Sequence, residues 1–467
     1  MTYNLVCGLE THVELSTKTK IFCSCPTAFG SDPNTNVCPK CLGEPGSLPL
    51  VNMATFIYAI KAGLALNCKI NQEVSFDRKN YTYPDLPKAY QTTQFIQPIC
   101  TNGYIKLNSG KKIRINRIHL EEDAGKLIHS GGNTYIDCNR GAVPLIEIVT
   151  EPDISSIEEA REYLEKLQLN LRHVQVSDCK MEEGSMRCDV NLSVNRPGEP
   201  LGVRSEIKNM NSLSFMEKAI AYEYERHVTA IKNNEPLVQE TRRFNEADGS
   251  TSAMRDKEDA NDYRYFKDPD SPYIIIDDIF IEDIAKTMPM LPEKIKNNYL
   301  EMGLSEQDAD LIIKYKKVSD YFSSALVTGD PKILSTYMLG EIFRSIETES
   351  QKEDFNILVP YAELAELSNL QKEGKINAQM AKKTLAEMLK SGKSWKEYIS
   401  KSDMEGIDEG TLIAMCKTAI TENPMAVADF KAGKDKALKA LIGAVMRQSR
   451  GKANAVQAEQ TILDLIK

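Results

Sequence analysis

Glu10 and His12 stand one residue apart in Gly8-Leu-Glu-Thr-His-Val-Glu14. Glu121, Glu122 and Asp123 stand in a row in Arg117-Ile-His-Leu-Glu-Glu-Asp-Ala-Gly-Lys126. A carboxylate and an imidazole presented side by side suit a divalent cation. Three adjacent carboxylates repel one another and are tolerated where water or a cation offsets their charge. A Mg²⁺ held by carboxylates beside a phosphate is one such place, and a solvated strand end is the bland alternative. A second constellation is Cys23-x-Cys25, twelve residues, then Cys38-Pro-Lys-Cys41. Two close pairs at that separation suit a tetrahedral Cys₄ zinc site with a knuckle at each pair. All four positions are protein ligands, so such a zinc is structural rather than catalytic.

Alternation positions the first set. In residues 4–15, Cys7, Leu9, Val13 and Leu15 share one strand face, while Gly8, Glu10, His12 and Glu14 share the other. Met186–Val194 repeats this pattern, with Arg187, Asp189, Asn191 and Ser193 on the polar side. In Val203–Lys208, Arg204, Glu206 and Lys208 oppose Val203, Ser205 and Ile207. One sheet with a charged front accounts for these strands and predicts that Glu10, His12, Glu122, Asp189 and Glu206 converge. Val143–Val149 reads as a further strand. Residues 50–66 read as a helix. Ser155-Ser-Ile-Glu158 predicts a capping box for the next helix, whose stripe is Ile157, Ala160, Leu164, Leu167, Leu171 and Val174, with His173 on the surface near its C-terminus. Residues 76–94 form an ordered polar loop in which three tyrosines accompany Arg78, Lys79 and Lys88. Such a surface stacks on a base and neutralises phosphate. Paired Arg and acid in Gln239–Phe244 and Met254–Phe266 suit either a charge network or a phosphate pocket.

From about residue 290 the periodicity is helical, including a helix over 376–391 stopped at Gly392. Residues 401–410 read as an acidic linker. Between Lys431 and Lys452 seven basic residues face one acid, a local charge of +6 in a chain of net charge −9. This is a footprint for nucleic acid, or a solvated helix face. The fold class predicted is α+β: a cradle built on antiparallel sheet with helices (1–290), an all-α helical domain (291–403) and a small all-α tail (404–467).

Composition bounds the classes. With 467 residues, 42% hydrophobic and 27% charged, the chain is an ordinary globular one. It has no apolar run long enough to span a bilayer and no secretory leader pattern. Its eleven cysteines then imply reduced thiols and a cytoplasmic protein. No Gly-x-x-x-x-Gly-Lys-Ser/Thr or Gly-x-Gly-x-x-Gly motif is present, so a nucleotide site must be of an unusual type.

Five strings in this order resemble the GatB family, the B subunits of bacterial tripartite aspartyl/glutamyl-tRNA amidotransferases. They are Gly8–Glu14, Phe76–Tyr81, His119–Lys126, Lys180–Ser185 and Asp262–Phe266. The resemblance covers essentially the whole chain. It implies a cradle that binds the acceptor end of a mischarged tRNA and carries a kinase-like site, and a tail that helps recognise the tRNA body. It implies ATP, with Mg²⁺ on Glu10, His12, Glu122 and Glu206 and Asp189 close by. Arg78, Lys79, Arg204 and Lys208 are the cations assigned to the nucleotide. The cysteines match the zinc-binding members. The implied partners are a glutaminase A subunit that supplies ammonia, a small C subunit, and mischarged tRNA(Gln) or tRNA(Asn). Parity places Glu122 opposite His119, Glu121 and Asp123, so Glu122 is assigned to the metal and its neighbours to the turn. Ala89 and Lys267 depart from the family's usual Gly and Pro. A tRNA carrier with a silent acidic site and a stand-alone metal-dependent hydrolase are the competing readings.

Overall fold

The computed structural model describes residues 3–254, 263–404, 409–434, 436–449, 453 and 455–466. The chain divides into two compact units, 1–291 and 292–467.

The first unit contains strands β1 (Asn4–Glu14), β2 (Lys69–Ile70), β3 (Glu73–Val74), β4 (Asp77–Asn80), β5 (Tyr90–Thr93), β6 (Cys100–Lys106), β7 (Lys112–Glu122), β8 (Lys126–Ser130), β9 (Asn133–Asp137), β10 (Pro144–Thr150), β11 (Met186–Asn195), β12 (Ser205–Met210), β13 (Glu240–Phe244), β14 (Thr251–Ala253), β15 (Phe266–Lys267) and β16 (Ile274–Ile275). Nine of them make one sheet in the order β14-β13-β12-β11-β1-β10-β7-β6-β2. Its pairings are antiparallel except β12 with β13. A parallel pair needs a long crossover, and here a 21-residue helix, Leu213–Asn233, makes it.

The apolar face of this sheet packs on three helices, α1 (Met53–Ala65), α2 (Ile157–His173) and α3 (Leu213–Asn233). Cys7, Leu9 and Val13 of β1 join Val190 and Leu192 of β11 in one buried core. The α2 stripe Ala160, Leu164, Leu167 and Leu171 is fully buried in it. Each such leucine contributes about 2 kcal/mol by leaving water. Two local expectations shift. The N-cap of α2 is Ser156, whose hydroxyl accepts from the Glu159 amide at 3.2 Å, while the Glu159 carboxylate reaches back to Ser155. The capping pair is therefore one residue later than Ser155 and Glu158. His173 is buried, not on the surface, because the helix ends against the core rather than in solvent.

Residues 76–94 are not one loop. They hold the paired strands β4 and β5, to which β15 adds on the other side.

The second unit is helical in its described residues, as the period predicts. Ala378–Ser391 ends at Gly392, whose φ of 69° is the left-handed cap expected there. Four terminal helices, Glu409–Glu422, Pro424–Lys431, Lys436–Gln448 and Ala455–Ile466, gather Leu412, Cys416, Leu441, Val445 and Ile462 into a core cluster. Of the segment read as a linker, Lys401–Met404 is helical and 405–408 lie outside the described residues. Asp435, Arg450 and Lys452 of the basic run also lie outside them, as do residues 255–262 of the Arg- and acid-rich stretch.

Candidate active site on the polar face of the sheet

Register builds the site. His12 of β1 lies directly opposite Glu147 of β10, and Glu147 directly opposite His119 of β7. Directly opposed residues point to the same face, so three strands contribute one polar row. His12 Nε2 is 3.4 Å from Glu147 Oε2 and 3.4 Å from Glu121 Oε1. His119 Nε2 is 3.3 Å from Glu147 Oε2. One ligand atom each from His12, Glu121 and Glu147 falls within 4.8 Å of the others. Burial opposes charge on His12, but hydrogen bonds to Glu121 and Glu147 outweigh it and hold the imidazole well above its ordinary value. Burial likewise opposes charge on Glu147, and His119 and His12 pull it well below the usual carboxylate range. Lys79 is near this group. Its ammonium lies 4.9 Å from the Tyr263 ring centre, and Glu121 and Glu147 support its charge against burial.

Glu122, assigned to the metal from parity, lies away from the His12 group. Its carboxylate takes hydrogen bonds from Lys88 Nζ and, at 2.8 Å, from the Thr92 amide. It is 1% exposed on the side of β7 opposite His119 and Glu121. Alternation separates Glu121 from Glu122 correctly. It does not say which of the two faces His12, because that depends on register across β10. Glu121, assigned to the turn, lies beside His12.

A second group lies on the neighbouring strands. Glu10 opposes Asp189, and Asn191 opposes Glu206. Asn191 Nδ2 donates to Glu10 at 2.8 Å, Lys208 Nζ reaches Asp189 at 2.7 Å and Glu206 at 3.2 Å, and Thr241 donates to Glu206 at 2.9 Å. Burial first, then Glu147, Glu206 and Asp189, push the Glu10 carboxyl upward. The structure thus joins Glu10, Asp189 and Glu206 as predicted, beside the His12 group rather than with Glu122. Below it, Arg187 pairs with Asp123 at 2.8 Å, and Glu14 is pushed up to about 7 by burial and by Asp123.

The four cations assigned to the nucleotide do not form a group. Arg78 is engaged by Asp268 at 2.7 Å and Asp270 at 2.6 Å, Lys208 by the acids just named, and Arg204 is exposed ahead of β12. Lys79 alone of the four approaches the His12 group. Around it, Tyr81, Tyr263 and Tyr265 form edge contacts, and Tyr265 stacks on Phe95 at 4.2 Å. Of the two arginines of Gln239–Phe244, Arg242 belongs to a network around the buried Glu223 instead. Arg242 meets Glu223 at 2.9 Å and Glu240 at 2.7 Å.

Sequence reasoning missed Glu147 and His119. A signal for Glu147 was present: it is the single charge inside the apolar run Val143-Pro-Leu-Ile-Glu-Ile-Val149.

The cysteines assemble as their spacing predicts. Cys23, Cys25, Cys38 and Cys41 place their sulfurs within 4.8 Å of one another, and the Cys38 and Cys41 sulfurs are 3.7 Å apart. A tetrahedron with Zn–S bonds of 2.3 Å has edges of about 3.8 Å, so the set fits zinc. Among sulfurs this close, the hydrogen bond that Cys41 takes from Cys23 draws its thiol down to about 4. Gly43 closes the second knuckle at φ 70°, and a Cβ there would meet Lys88 Cγ at 2.6 Å. All eleven cysteines are unpaired thiols.

Fold and site together define an α+β catalytic domain whose carboxylate- and imidazole-bearing sheet face is joined to a Cys₄ knuckle. The comparisons agree. A family model described as "GatB/GatE catalytic domain" matches residues 5–282, and one described as "GatB domain" matches 320–466. The chain is 49% identical over 462 residues to the B subunit of the aspartyl/glutamyl-tRNA(Asn/Gln) amidotransferase of Clostridium tetani (strain Massachusetts / E88). It is 50% identical over 462 residues to the corresponding B subunit of Clostridium botulinum (strain Okra / Type B1), with 97% of each chain covered in both cases. The chain therefore belongs to the GatB family of amidotransferase B subunits. Among the described residues no helix is long and apolar enough to cross a membrane.

Proposed function

We propose that this chain is the ATP-dependent subunit that activates and amidates the side-chain carboxylate of mischarged Glu-tRNA(Gln) and/or Asp-tRNA(Asn). The observation that carries the reading is the meeting of His12, Glu121 and Glu147 from three strands, with Glu10, Asp189 and Glu206 alongside. Two carboxylates and an imidazole within reach of one point fit a divalent cation, and Mg²⁺ is the one that ATP brings. His119 donates to Glu147 and fixes its orientation, which sharpens a ligand set. A cation bound there would neutralise phosphate oxygens, the main requirement of phosphoryl transfer.

The substrate carboxylate attacks the γ-phosphorus and ADP departs. Ammonia then attacks the acyl carbon of the mixed anhydride and phosphate departs. Lys79, whose charge Glu121 and Glu147 support, would hold a phosphate oxygen. The tyrosines around it form a platform on which the terminal base of the tRNA stacks. Lys208, held by Asp189 and Glu206, partly neutralises the second acid group.

The Cys₄ site holds structural zinc. Residues 1–290 act as the cradle, 291–403 as a helical domain and 404–467 as a tail that contacts the tRNA body. The partners are a glutaminase A subunit and a small C subunit, in the cytoplasm. The test is amidation of both mischarged tRNAs by the chain co-expressed with A and C subunits. Glu121→Gln is expected to abolish ATP-dependent phosphorylation of the aminoacyl group while tRNA binding persists. Full activity in that variant would reduce the chain to a tRNA carrier.

A further inference from the structure

Lys20 stands three residues before Cys23 and is fully buried, among the largest completely enclosed side chains of the chain. An ammonium is almost never enclosed without a compensating charge, because leaving water penalises it heavily. Its hydrogen bond goes to a neutral group, the Cys138 carbonyl at 3.2 Å. Among the described residues no carboxylate forms an ion pair with it.

Its surroundings are the cysteine cluster. The Lys20 amide donates to the Cys25 carbonyl at 3.0 Å, and Thr19 bridges Pro26, so the segment is strapped along the first knuckle. Asn52 anchors it from the other side, through Thr19 at 3.1 Å and Lys20 at 3.4 Å. The charge of Lys20 is felt at both Cys41 and Cys138.

Four thiolates around a divalent cation carry a net charge of −2, and here Cys23 and Cys41 are buried while Cys25 and Cys38 are half-buried. A tetrathiolate centre attracts a cation to its outer shell, and a fully buried lysine needs an anion. We propose that Lys20 is the built-in counter-ion of the Cys₄ metal centre, so that the charge of the metal–thiolate cluster makes the burial of the ammonium possible. The proposal rests on the zinc reading of the four cysteines and adds a fifth residue to that site. Outer-shell partners of metal ligands commonly change affinity by about 10- to 100-fold, and a charge partner acts in the same way.

The test uses full-length protein purified under reducing conditions, with zinc content and the rate of zinc release to a chromogenic chelator as readouts. Lys20→Met keeps length and removes charge. Its zinc release is expected to be roughly 10- to 100-fold faster than wild type. Lys18→Met, an exposed lysine on the same segment, is expected to match wild type. Cobalt-loaded Lys20→Met should keep the ligand-field bands of a tetrahedral S₄ site, and the metal-free variant should melt no lower than metal-free wild type. Zinc-bearing wild type with unchanged release from Lys20→Met overturns the proposal. So does loss of the S₄ bands, which would make Lys20 a shaper of the ligand set rather than its counter-ion. Wild type that carries no zinc overturns the underlying zinc reading instead.

Discussion

Two buried charge clusters lie on the same sheet and are built differently. At its β12–β14 end, Glu223 is 0% exposed and meets Arg226 at 2.8 Å and Arg242 at 2.9 Å, with Thr251 donating to it as well. Two arginines share Glu223 and Glu240, so the acids are matched by fixed cations. Around His12 the carboxylates of Glu121 and Glu147 meet imidazoles, Asp189 and Glu206 both meet Lys208, and Glu10 accepts from the neutral Asn191 amide. A network matched by guanidinium groups is closed and serves the fold. An acid-rich group matched by titratable or partial partners leaves charge for an incoming cation to neutralise. Exchange of partners in the first should therefore show in stability, and in the second in activity.

The largest effect expected is at Glu147. Glu147→Gln removes the carboxylate that both histidines share, and activity of the assembled enzyme should fall roughly a thousandfold, about 4 kcal/mol in the barrier. Its melting temperature should stay within a few degrees of wild type. An equal loss of stability would erase the distinction between the clusters.

The mirror experiment is Glu223→Ala. It leaves Glu240 as the one carboxylate, among the described residues, that meets the two half-buried guanidinium groups and should cost about 3 kcal/mol in denaturant unfolding, with the turnover of the remaining folded enzyme unchanged.

A smaller effect separates the clusters by pH. His227 is buried beside Arg226, and burial first, then that guanidinium, hold its imidazole down at about 4. The unfolded chain binds this proton near 6.5 and the folded chain near 4, so stability is present above 6.5 and is lost as pH falls toward 4. Between pH 7 and 5 the loss from this group should be about 2 kcal/mol. His227→Gln should flatten that part of the acid unfolding curve, and an unchanged curve would remove His227 from the network.

The smallest prediction concerns the turn that brings Lys88 to Glu122. Ala89 holds φ at 59°, the left-handed region that an alanine adopts at a cost. Ala89→Gly should raise stability by about 0.5–1 kcal/mol in thermal unfolding, and a lower melting temperature would contradict the strain.

Much of this arrangement is legible in single strands. The alternation of β1 and β11 names Glu10, His12 and Asp189 because one face of each is apolar and buried. The Cys₄ cluster is legible because ligand spacing on a knuckle is local. The face of β7 that meets His12 is not, since parity divides Glu121 from Glu122 but only the pairing of β7 with β10 and β10 with β1 decides between them. Glu147 was hidden for the same reason: a charge in an apolar run means little until its cross-strand neighbours are known. Arg78 resembles a phosphate ligand in sequence, and the acids that engage it, Asp268 and Asp270, lie far along the chain.

The central claim is that Glu121, not Glu122, completes the cation site with His12 and Glu147. Direct titration of the assembled enzyme with Mn²⁺, read by electron paramagnetic resonance in the presence of ATP, tests it most directly. Glu121→Gln should weaken the bound-ion signal by tenfold or more, roughly the effect of losing one ligand, while Glu122→Gln keeps it. Retention of the site in Glu121→Gln with its loss in Glu122→Gln would contradict the account.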